Sequence, residues 1–211
     1  MTDMIVVRGY DPRWSERFEE LRQQLAPHVV DLAVSIEHVG STTVPGCAAK
    51  PIIDLDIVVP EEAVMPALIS RLAGLGYRHE GDLGIRGREA FQAPPAVPGH
   101  HLYAVVAGST PHLDHVLLRD YLRQRPDEVQ RYSALKAALA QRFRADGEGR
   151  AAYSAAKSAL VEELLRKSYT SARGTNTTTT STRERAKTAA TAVTTPTDPM
   201  GAASRSSYAD D

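Results

Sequence analysis

The spacing of apolar residues changes twice in the first third of the chain, and each change predicts a different element. A short β-like run at residues 4–10 is followed by Asp11-Pro12, which suits the start of a helix, and bulky apolar residues then recur at helical spacing. Residues 34–39 (VSIEHV) and 52–59 (IIDLDIVV) are rich in β-branched side chains and predict strands. Residues 61–75 return to helical spacing.

The remaining globular part divides into a β-rich middle and a helical end. Between residues 77 and 107, the segments YRHEG, REAFQ and HLYAVVA are strand candidates separated by turns rich in Gly and Pro. Helices are predicted at about 111–123, 127–143 and 150–167. This order of elements predicts an α+β fold, in which a mixed β-sheet packs on helices and the C-terminal part is helical.

The last part of the chain differs in composition from everything before it. From Ser168 to Asp211, threonine, serine and alanine dominate, and few side chains could fill a core. Such a segment buries too little apolar surface to offset the entropy lost on ordering. We therefore predict one domain over residues 1–167 and a disordered tail over residues 168–211.

Composition and charge narrow the classes of function. The chain has 211 residues, a length that predicts one hydrophobic core. Its formal net charge of −1 gives no reason to expect general electrostatic binding of nucleic acid. The single cysteine, Cys47, excludes an internal disulfide and a cysteine-based zinc site. Residues 1–14 contain no apolar run as long as a signal peptide or membrane span, and we expect a cytoplasmic protein without membrane contact. The oligomeric state is not indicated.

Two aspartates interrupt the apolar run of residues 52–59. Because side chains alternate along a strand, Asp54 and Asp56 share one face of it. Two neighbouring carboxylates repel each other unless a cation neutralises them, and oxygen ligands favour a hard ion, Mg²⁺ or Mn²⁺. The alternative is a pair of solvent-facing aspartates on an edge strand.

A small-residue loop precedes the aspartate strand and begins with Gly40-Ser41. Glycine lets a backbone approach closely, and a serine hydroxyl with its backbone N–H can hold phosphate oxygens. Taken alone, the dipeptide is a weak signal. Its position at the end of one strand, before the aspartates of the next, makes it a candidate phosphate-binding element.

At residues 38–59 the sequence HVGSTTVPGCAAKPIIDLDIVV resembles the GrpB family, a branch of the nucleotidyltransferase superfamily. The resemblance covers roughly residues 4–167. It includes further blocks that match the family: DPRW at 11–14, GIRGREAF at 84–91, RDYLR at 119–123, LK at 135–136, and Tyr153 with Lys157. It implies a nucleotidyltransferase-like mixed sheet.

The resemblance also implies a reaction, the metal-assisted transfer of a nucleoside monophosphate from a nucleoside triphosphate to an acceptor that the sequence does not identify. Asp54 and Asp56 would hold Mg²⁺, while Ser41 and the loop amides would hold the outer phosphates. A triphosphate site also needs cations. The candidates for this role are Lys50, Arg88, Arg119 and Lys157.

One departure from the superfamily pattern leaves a second function open. Active members often carry a third carboxylate on a neighbouring strand, whereas HHLYAVV at residues 100–106 has no acid. His101 and Glu89 are the candidate third metal ligands or bases. Without a third acid, the same fold could bind a nucleotide or a CoA-like molecule and transfer nothing, and a related domain occurs in some dephospho-CoA kinases. An interaction protein acting through its tail is a third hypothesis.

Overall fold

The computed structural model describes residues 4–97 and 99–191 of the chain, with side chains described as far as residue 174. The helices of this part are Arg13–Val29 (α1), Met65–Gly74 (α2), Thr110–Arg123 (α3), Pro126–Ala140 (α4) and Gly147–Thr191 (α5). Its strands are Ser35–Val39 (β1), Ile53–Val59 (β2), Arg78–Gly81 (β3), Arg88–Gln92 (β4) and His100–Val106 (β5). Short 3₁₀ turns occupy Ser41–Thr43 and Glu62–Val64.

The five strands form one mixed sheet with the order β1-β2-β5-β4-β3. β2 and β5 run parallel in the centre, while the pairs β1–β2, β4–β5 and β3–β4 are antiparallel. A parallel pair needs a crossover connection, and here the chain between β2 and β5 supplies α2 together with the β3–β4 hairpin. The predicted α+β fold with a mixed sheet is confirmed.

One face of the sheet packs on α1 and α2 to form the main hydrophobic core. The alternate residues Ile53, Leu55 and Ile57 of β2 point to this side and are fully buried. They pack with apolar residues from both helices and from the neighbouring strands: Trp14, Leu21, Leu25, Leu68, Leu72, Phe91, Leu102 and Ala104. Because this face is filled, the two aspartates of β2 project from the opposite face.

The C-terminal helices enclose a second apolar cluster. Val44 and Cys47, from the loop after β1, pack there against helical residues: Leu122, Val129, Tyr132 and Leu164. The loop that precedes the aspartate strand is therefore anchored between the sheet and the helices. This anchoring fixes the backbone that carries Gly40 and Ser41.

The N-terminal run at residues 4–10 is not a strand of the sheet. It makes only isolated bridges, Met4 to Arg144 and Arg8 to Ala49. Ile5 from this run is buried in a small apolar cluster with Leu139 and Tyr153. Such a contact forms without the hydrogen-bond ladder of a β-sheet.

The last helix does not end at residue 167, where the sequence predicts the domain boundary. Ser168 is buried, and the Tyr169 hydroxyl donates a hydrogen bond to Asp114 on α3 at 2.8 Å. The compact unit extends to Ala172, and the helical backbone extends to Thr191. Tyr169 thus has a partner distant in sequence, whereas the Ser168 hydroxyl bonds to the carbonyl of Leu165 in its own helix. Residues 192–211 of the predicted tail lie outside the described residues.

No helix in the described part of the chain is long and apolar enough to cross a membrane.

Candidate functional site

Asp54 and Asp56 stand side by side on the face of the sheet opposite α1 and α2. In the strand register Asp54 lies opposite His101 of β5, and Asp56 lies opposite Tyr103. The Asp56 side chain is completely buried, whereas that of Asp54 is 29% exposed. The alternation expected from the sequence therefore places both carboxylates together, and the edge-strand alternative does not apply because β2 is a central strand.

Each aspartate is hydrogen-bonded to one histidine. Oδ1 of Asp54 lies 2.8 Å from Nδ1 of His101, and Oδ2 of Asp56 lies 2.7 Å from Nδ1 of His115 on α3. Burial raises the pKa of Asp56, and the hydrogen bond from His115 opposes this rise. Burial alone would lower the pKa of His115, but the bond to Asp56 and its charge raise it above the ordinary value.

The remaining carboxylate oxygens fit a magnesium ion. Oδ1 of Asp56 is buried and has no hydrogen-bond partner, which is costly for a carboxylate oxygen unless something else fills that place. Oδ2 of Asp54 is the second oxygen without a histidine contact. Mg²⁺ is commonly held by one or two carboxylates, together with waters and substrate phosphates. No group of three or more His, Cys, Asp or Glu side chains in the described part could hold a metal ion.

Gly40 and Ser41 form the turn that faces the aspartates. Gly40 has φ +72° and ψ −170°, a combination that is essentially restricted to glycine. Ser41 then opens the 3₁₀ turn Ser41–Thr43, whose closing hydrogen bond runs from the Val44 N–H to the Ser41 carbonyl. The Gly-Ser pair thus ends β1 in a tight turn beside β2, as its position in the sequence indicates.

This turn is held in place by three side chains, those of Phe18, His38 and Arg123. The ring of His38 stacks on Phe18 with its Nε2 3.0 Å from Oγ1 of Thr42, and burial lowers the pKa of His38 to about 4, so the imidazole is neutral. Arg123 donates to both the carbonyl and the hydroxyl of Thr43. These contacts keep the Ser41 hydroxyl directed towards a cavity.

That cavity has a volume of about 230 Å³ and lies between the turn, the aspartate strand and the helices α4 and α5. Three lysines line it, namely Lys50, Lys136 and Lys157, together with Ser41 and Asp54. Lys136 donates to Oγ of Ser41 at 2.9 Å and contacts Sγ of Cys47 at 3.2 Å. None of the three ammonium groups pairs with a carboxylate among the side chains that the structure describes.

The three lysines repel one another across the cavity, and Asp54 offsets this repulsion only in part. The pKa of Lys157 is lowered to about 8, mainly by burial; the charges of Lys50 and Lys136 contribute to this shift, and the charge of Asp54 opposes it. Burial likewise lowers the pKa of Lys136. Like charges around a partly closed cavity favour an anion with several charges, since such a ligand would neutralise all of them at once.

Two of the predicted site residues lie elsewhere. Glu89 pairs in register with Ala104, so it lies on the sheet face opposite the aspartates, where His79 bonds to it at 2.6 Å. Its side chain is therefore not a third ligand for the aspartate pair. Arg88 is on the correct face, but its guanidinium lies over the Tyr103 ring at 4.5 Å, outside the set of residues that line the cavity.

Arg119, which the sequence analysis names as a phosphate-binding candidate, forms an ion pair with a carboxylate of the protein itself. It donates to Oε2 of Glu37 at 2.9 Å and to the His38 carbonyl at 3.2 Å, and it also pairs with Asp120. Glu37 lies in register opposite Asp56, so Arg119 neutralises the additional acid on this face of the sheet. Its guanidinium is therefore already committed to a carboxylate.

Sequence reasoning named Lys157 on α5 but missed three other candidates on the helices. Lys136 was visible only as part of the LK block at 135–136, and Tyr153 only as a partner of Lys157 in the resemblance. Tyr153 lies between two of the lysines, 5.7 Å from Nζ of Lys50 and 5.3 Å from Nζ of Lys157. His115 gave no signal, because a single histidine on an amphipathic helix has no distinguishing pattern.

Comparisons with known proteins agree with this arrangement of motifs. The family profile described as GrpB protein matches residues 4–167. The chain is similar to the UPF0157 protein YqkA of Bacillus subtilis, with 35% identity over 131 residues that make up 62% of this chain and 38% of that protein. A UPF0157 protein of Pseudomonas aeruginosa is 33% identical over 175 residues, which cover 81% of this chain and 70% of the relative.

Among solved structures, the chain resembles the crystal structure of conserved protein GrpB from Enterococcus faecalis, with a TM-score of 0.68 and 33% identity. The match covers 77% of this chain and 96% of that one. The sheet and helices described above are therefore shared with an experimentally determined structure. The curated Bacillus relative is much longer, since the match spans less than two fifths of its length.

Proposed function

The chain belongs to the GrpB family, and we propose that it is a magnesium-dependent nucleotidyltransferase that moves a nucleoside monophosphate from a nucleoside triphosphate to an acceptor. One observation carries the proposal: a single cavity brings Asp54 together with three lysines that have no carboxylate partners among the described side chains. The site therefore has a metal pole, at the aspartates, and a phosphate pole, at the lysines. Such a site suits a complex of magnesium and triphosphate better than it suits magnesium or triphosphate alone.

The phosphate pole is formed by the turn and the helices. The hydroxyl of Ser41 and the ammonium groups of Lys50, Lys136 and Lys157 line the same cavity. Lysines and hydroxyls bind phosphate oxygens through charge-assisted hydrogen bonds, which are about twice as strong as neutral ones. We assign the β- and γ-phosphates to this pole.

The metal pole is formed by Asp54 and Asp56. Magnesium bound there would neutralise charge that develops on the phosphates and orient the donor. The residues fit this role through the unpaired Oδ1 of buried Asp56 and the Oδ2 of Asp54. The two aspartates can therefore fix the α-phosphate close to the exposed edge of His101.

His101 is the base that the geometry favours. A carboxylate accepts hydrogen bonds, so the contact with Asp54 favours the tautomer of His101 that carries its proton on Nδ1; in that neutral tautomer Nε2 is an acceptor. The side chain of His101 is 45% exposed and lines the cavity. A carboxylate that orients an imidazole in this way is a known means of preparing a general base.

In the proposed reaction, His101 takes the proton of the acceptor and pyrophosphate is the leaving group. An acceptor hydroxyl forms a bond to the α-phosphorus as its proton passes to Nε2 of His101. The bond between the α-phosphorus and the bridging oxygen to the β-phosphate breaks, and pyrophosphate leaves through the lysine pole. The nucleoside monophosphate is then joined to the acceptor oxygen.

The test is magnesium-dependent binding of nucleoside triphosphates to the wild type, Asp54→Asn and Asp56→Asn, measured by calorimetry with melting curves as the control for folding. We expect each variant to remain folded and to lose the magnesium-dependent part of binding, since an amide is a far weaker ligand for Mg²⁺ than a carboxylate. Unchanged magnesium dependence in both variants would contradict the proposal.

A second candidate is a catalytically inactive module that binds a nucleotide or a CoA-like molecule on the same fold. It is favoured by the two histidines, each of which occupies one carboxylate oxygen of the pair. Such a module would bind its ligand through the lysines and tolerate Asp54→Asn. Binding of CoA or a triphosphate that is indifferent both to magnesium and to this substitution would support it over the enzyme.

A further inference from the structure

The size of the lysine-lined cavity limits how much of a nucleotide it can enclose. Its volume is about 230 Å³. Pockets that enclose most of a drug-sized ligand measure roughly 300–1,000 Å³. A chain of three phosphates with its metal is smaller than a whole nucleotide, so the enclosed part of the donor is only a fraction of it.

The side chains that line the cavity suit phosphates better than nucleobases. The described lining residues include no Asn or Gln, which pair with adenine, and no Arg, which most often pairs with guanine. Both lining tyrosines already have cations at their rings. Arg88 lies over Tyr103 at 4.5 Å, and Lys50 and Lys157 flank Tyr153. A base that stacked on either ring would compete with these cations.

In contrast, the lysines of the cavity are well placed to bind phosphate, since they have no carboxylate partners among the described side chains. Lys136 is only 3% exposed, and its described contacts are Ser41, Cys47 and the ring of Tyr132, with no carboxylate among them. A buried cation without an anionic partner is costly. A polyphosphate chain would supply that partner to Lys136, Lys50 and Lys157 together.

We infer that this cavity recognises the polyphosphate chain and leaves the nucleoside outside, so that the protein accepts any nucleoside triphosphate and binds inorganic triphosphate at the same site. This inference rests on the proposed function, because it names the donor class of that site. It also differs from a base-specific transferase, in which contacts to the base would set the affinity.

The experiment is calorimetric titration in the presence of Mg²⁺ with ATP, GTP, CTP, UTP and inorganic triphosphate, and with adenosine as the ligand that lacks phosphate. We expect the five phosphate ligands to agree within about threefold in affinity and adenosine not to bind. In Lys157→Gln, all five should weaken together by about tenfold, the effect of losing one hydrogen bond to a charged group.

Lys167→Gln is the matched control, because it removes a lysine from the same helix outside the cavity. It should leave every affinity unchanged, while melting curves show whether either variant is folded. If Lys157→Gln fails to fold, Lys50→Gln from the loop replaces it with the same expected result.

The outcomes separate the inference from the proposed function. A preference of more than tenfold for one base, or a tenfold weaker affinity for inorganic triphosphate than for every nucleotide, would overturn the inference and leave the transferase proposal standing. Tight binding of inorganic triphosphate without binding of any nucleotide would contradict both the transferase and the inference, because the inferred donor class is the nucleoside triphosphates. No binding of either class of ligand would remove both.

Discussion

Gly40 lies so close to Asp54 that a β-carbon on residue 40 would overlap Oδ2 of the carboxylate. The turn after β1 therefore contacts the aspartate strand so closely at Gly40 that no side chain fits between them. The backbone of Gly40 adds a second requirement, since its φ of +72° is rarely adopted by other residues. Glycine is needed here for both reasons.

The first prediction separates these two requirements with Gly40→Ala. The methyl group should push the Asp54 carboxylate aside, abolish magnesium-dependent binding of triphosphates and lower the free energy of unfolding by about 1–3 kcal/mol. Gly84→Ala is the control, because Gly84 has φ +81° with no neighbour within 4 Å of the added carbon. It should lose stability through its backbone and keep full binding in calorimetry. Equal binding by the two variants would contradict the assigned role of Gly40.

The second prediction concerns the hydroxyl of Ser41. Ser41→Ala removes the oxygen that accepts a hydrogen bond from Lys136, and with it one donor to the phosphates. Triphosphate affinity should fall by about tenfold, whereas the free energy of unfolding should change by no more than about 1 kcal/mol. The comparison is Ser158→Ala, whose hydroxyl bonds only to the helix backbone at Ser154 in its described contacts. A loss of stability without a loss of affinity would give Ser41 a purely structural role.

The third prediction is a pH dependence set by Lys157, whose pKa burial lowers to about 8. Binding of an anion requires the ammonium form, so triphosphate affinity should decline as the pH rises above about 8. In Lys157→Arg the guanidinium stays charged, and this decline should become smaller. Calorimetric titrations at about pH 7, 8 and 9 measure the difference.

The same group has the opposite effect on the stability of the free protein. The pKa of Lys157 is lower in the folded state than its ordinary value of 10.5, so folding releases protons in the interval between the two values. Its contribution to the free energy of unfolding therefore rises as the pH rises from about 8. Melting curves and affinities that both fall over this interval would contradict the assignment.

The fourth prediction tests the structural role of Arg119. Arg119→Met breaks the ion pair with Glu37 and should lower the free energy of unfolding by about 1–3 kcal/mol, because the acid loses its partner in a half-buried position. Triphosphate affinity should change less than twofold. In a double-mutant cycle with Glu37→Gln, the two losses should be less than additive. A tenfold loss of affinity at unchanged stability would return Arg119 to the phosphate site.

The sheet and its aspartates could be predicted because they depend on local alternation. The run from Ile53 to Val59 places apolar side chains on one face and both acids on the other, and β2 has this arrangement in the structure. The same holds for α1, which begins one residue after the Asp11-Pro12 pair. Elements whose position is decided by neighbours in sequence were therefore found with small errors at their ends.

The partners of the site could not be predicted, because they join distant parts of the chain. Ser41 and Lys136 are 95 residues apart, and Asp56 and His115 are 59 residues apart. Nothing in a helical sequence distinguishes a lysine that faces a cavity from one that faces solvent. The ion pair of Arg119 could not be predicted for the same reason, since its acid, Glu37, is 82 residues away.

The separation between Ser41 and Lys136 also has a consequence for how the protein is made. A ribosome completes the turn and both carboxylates long before it reaches Lys136 and Lys157, and domains generally fold as units. A nascent chain that stops short of residue 136 carries Asp54, Asp56 and Lys50 but neither of the two helical lysines that line the cavity. The cavity is thereby completed only when the C-terminal helices have been made.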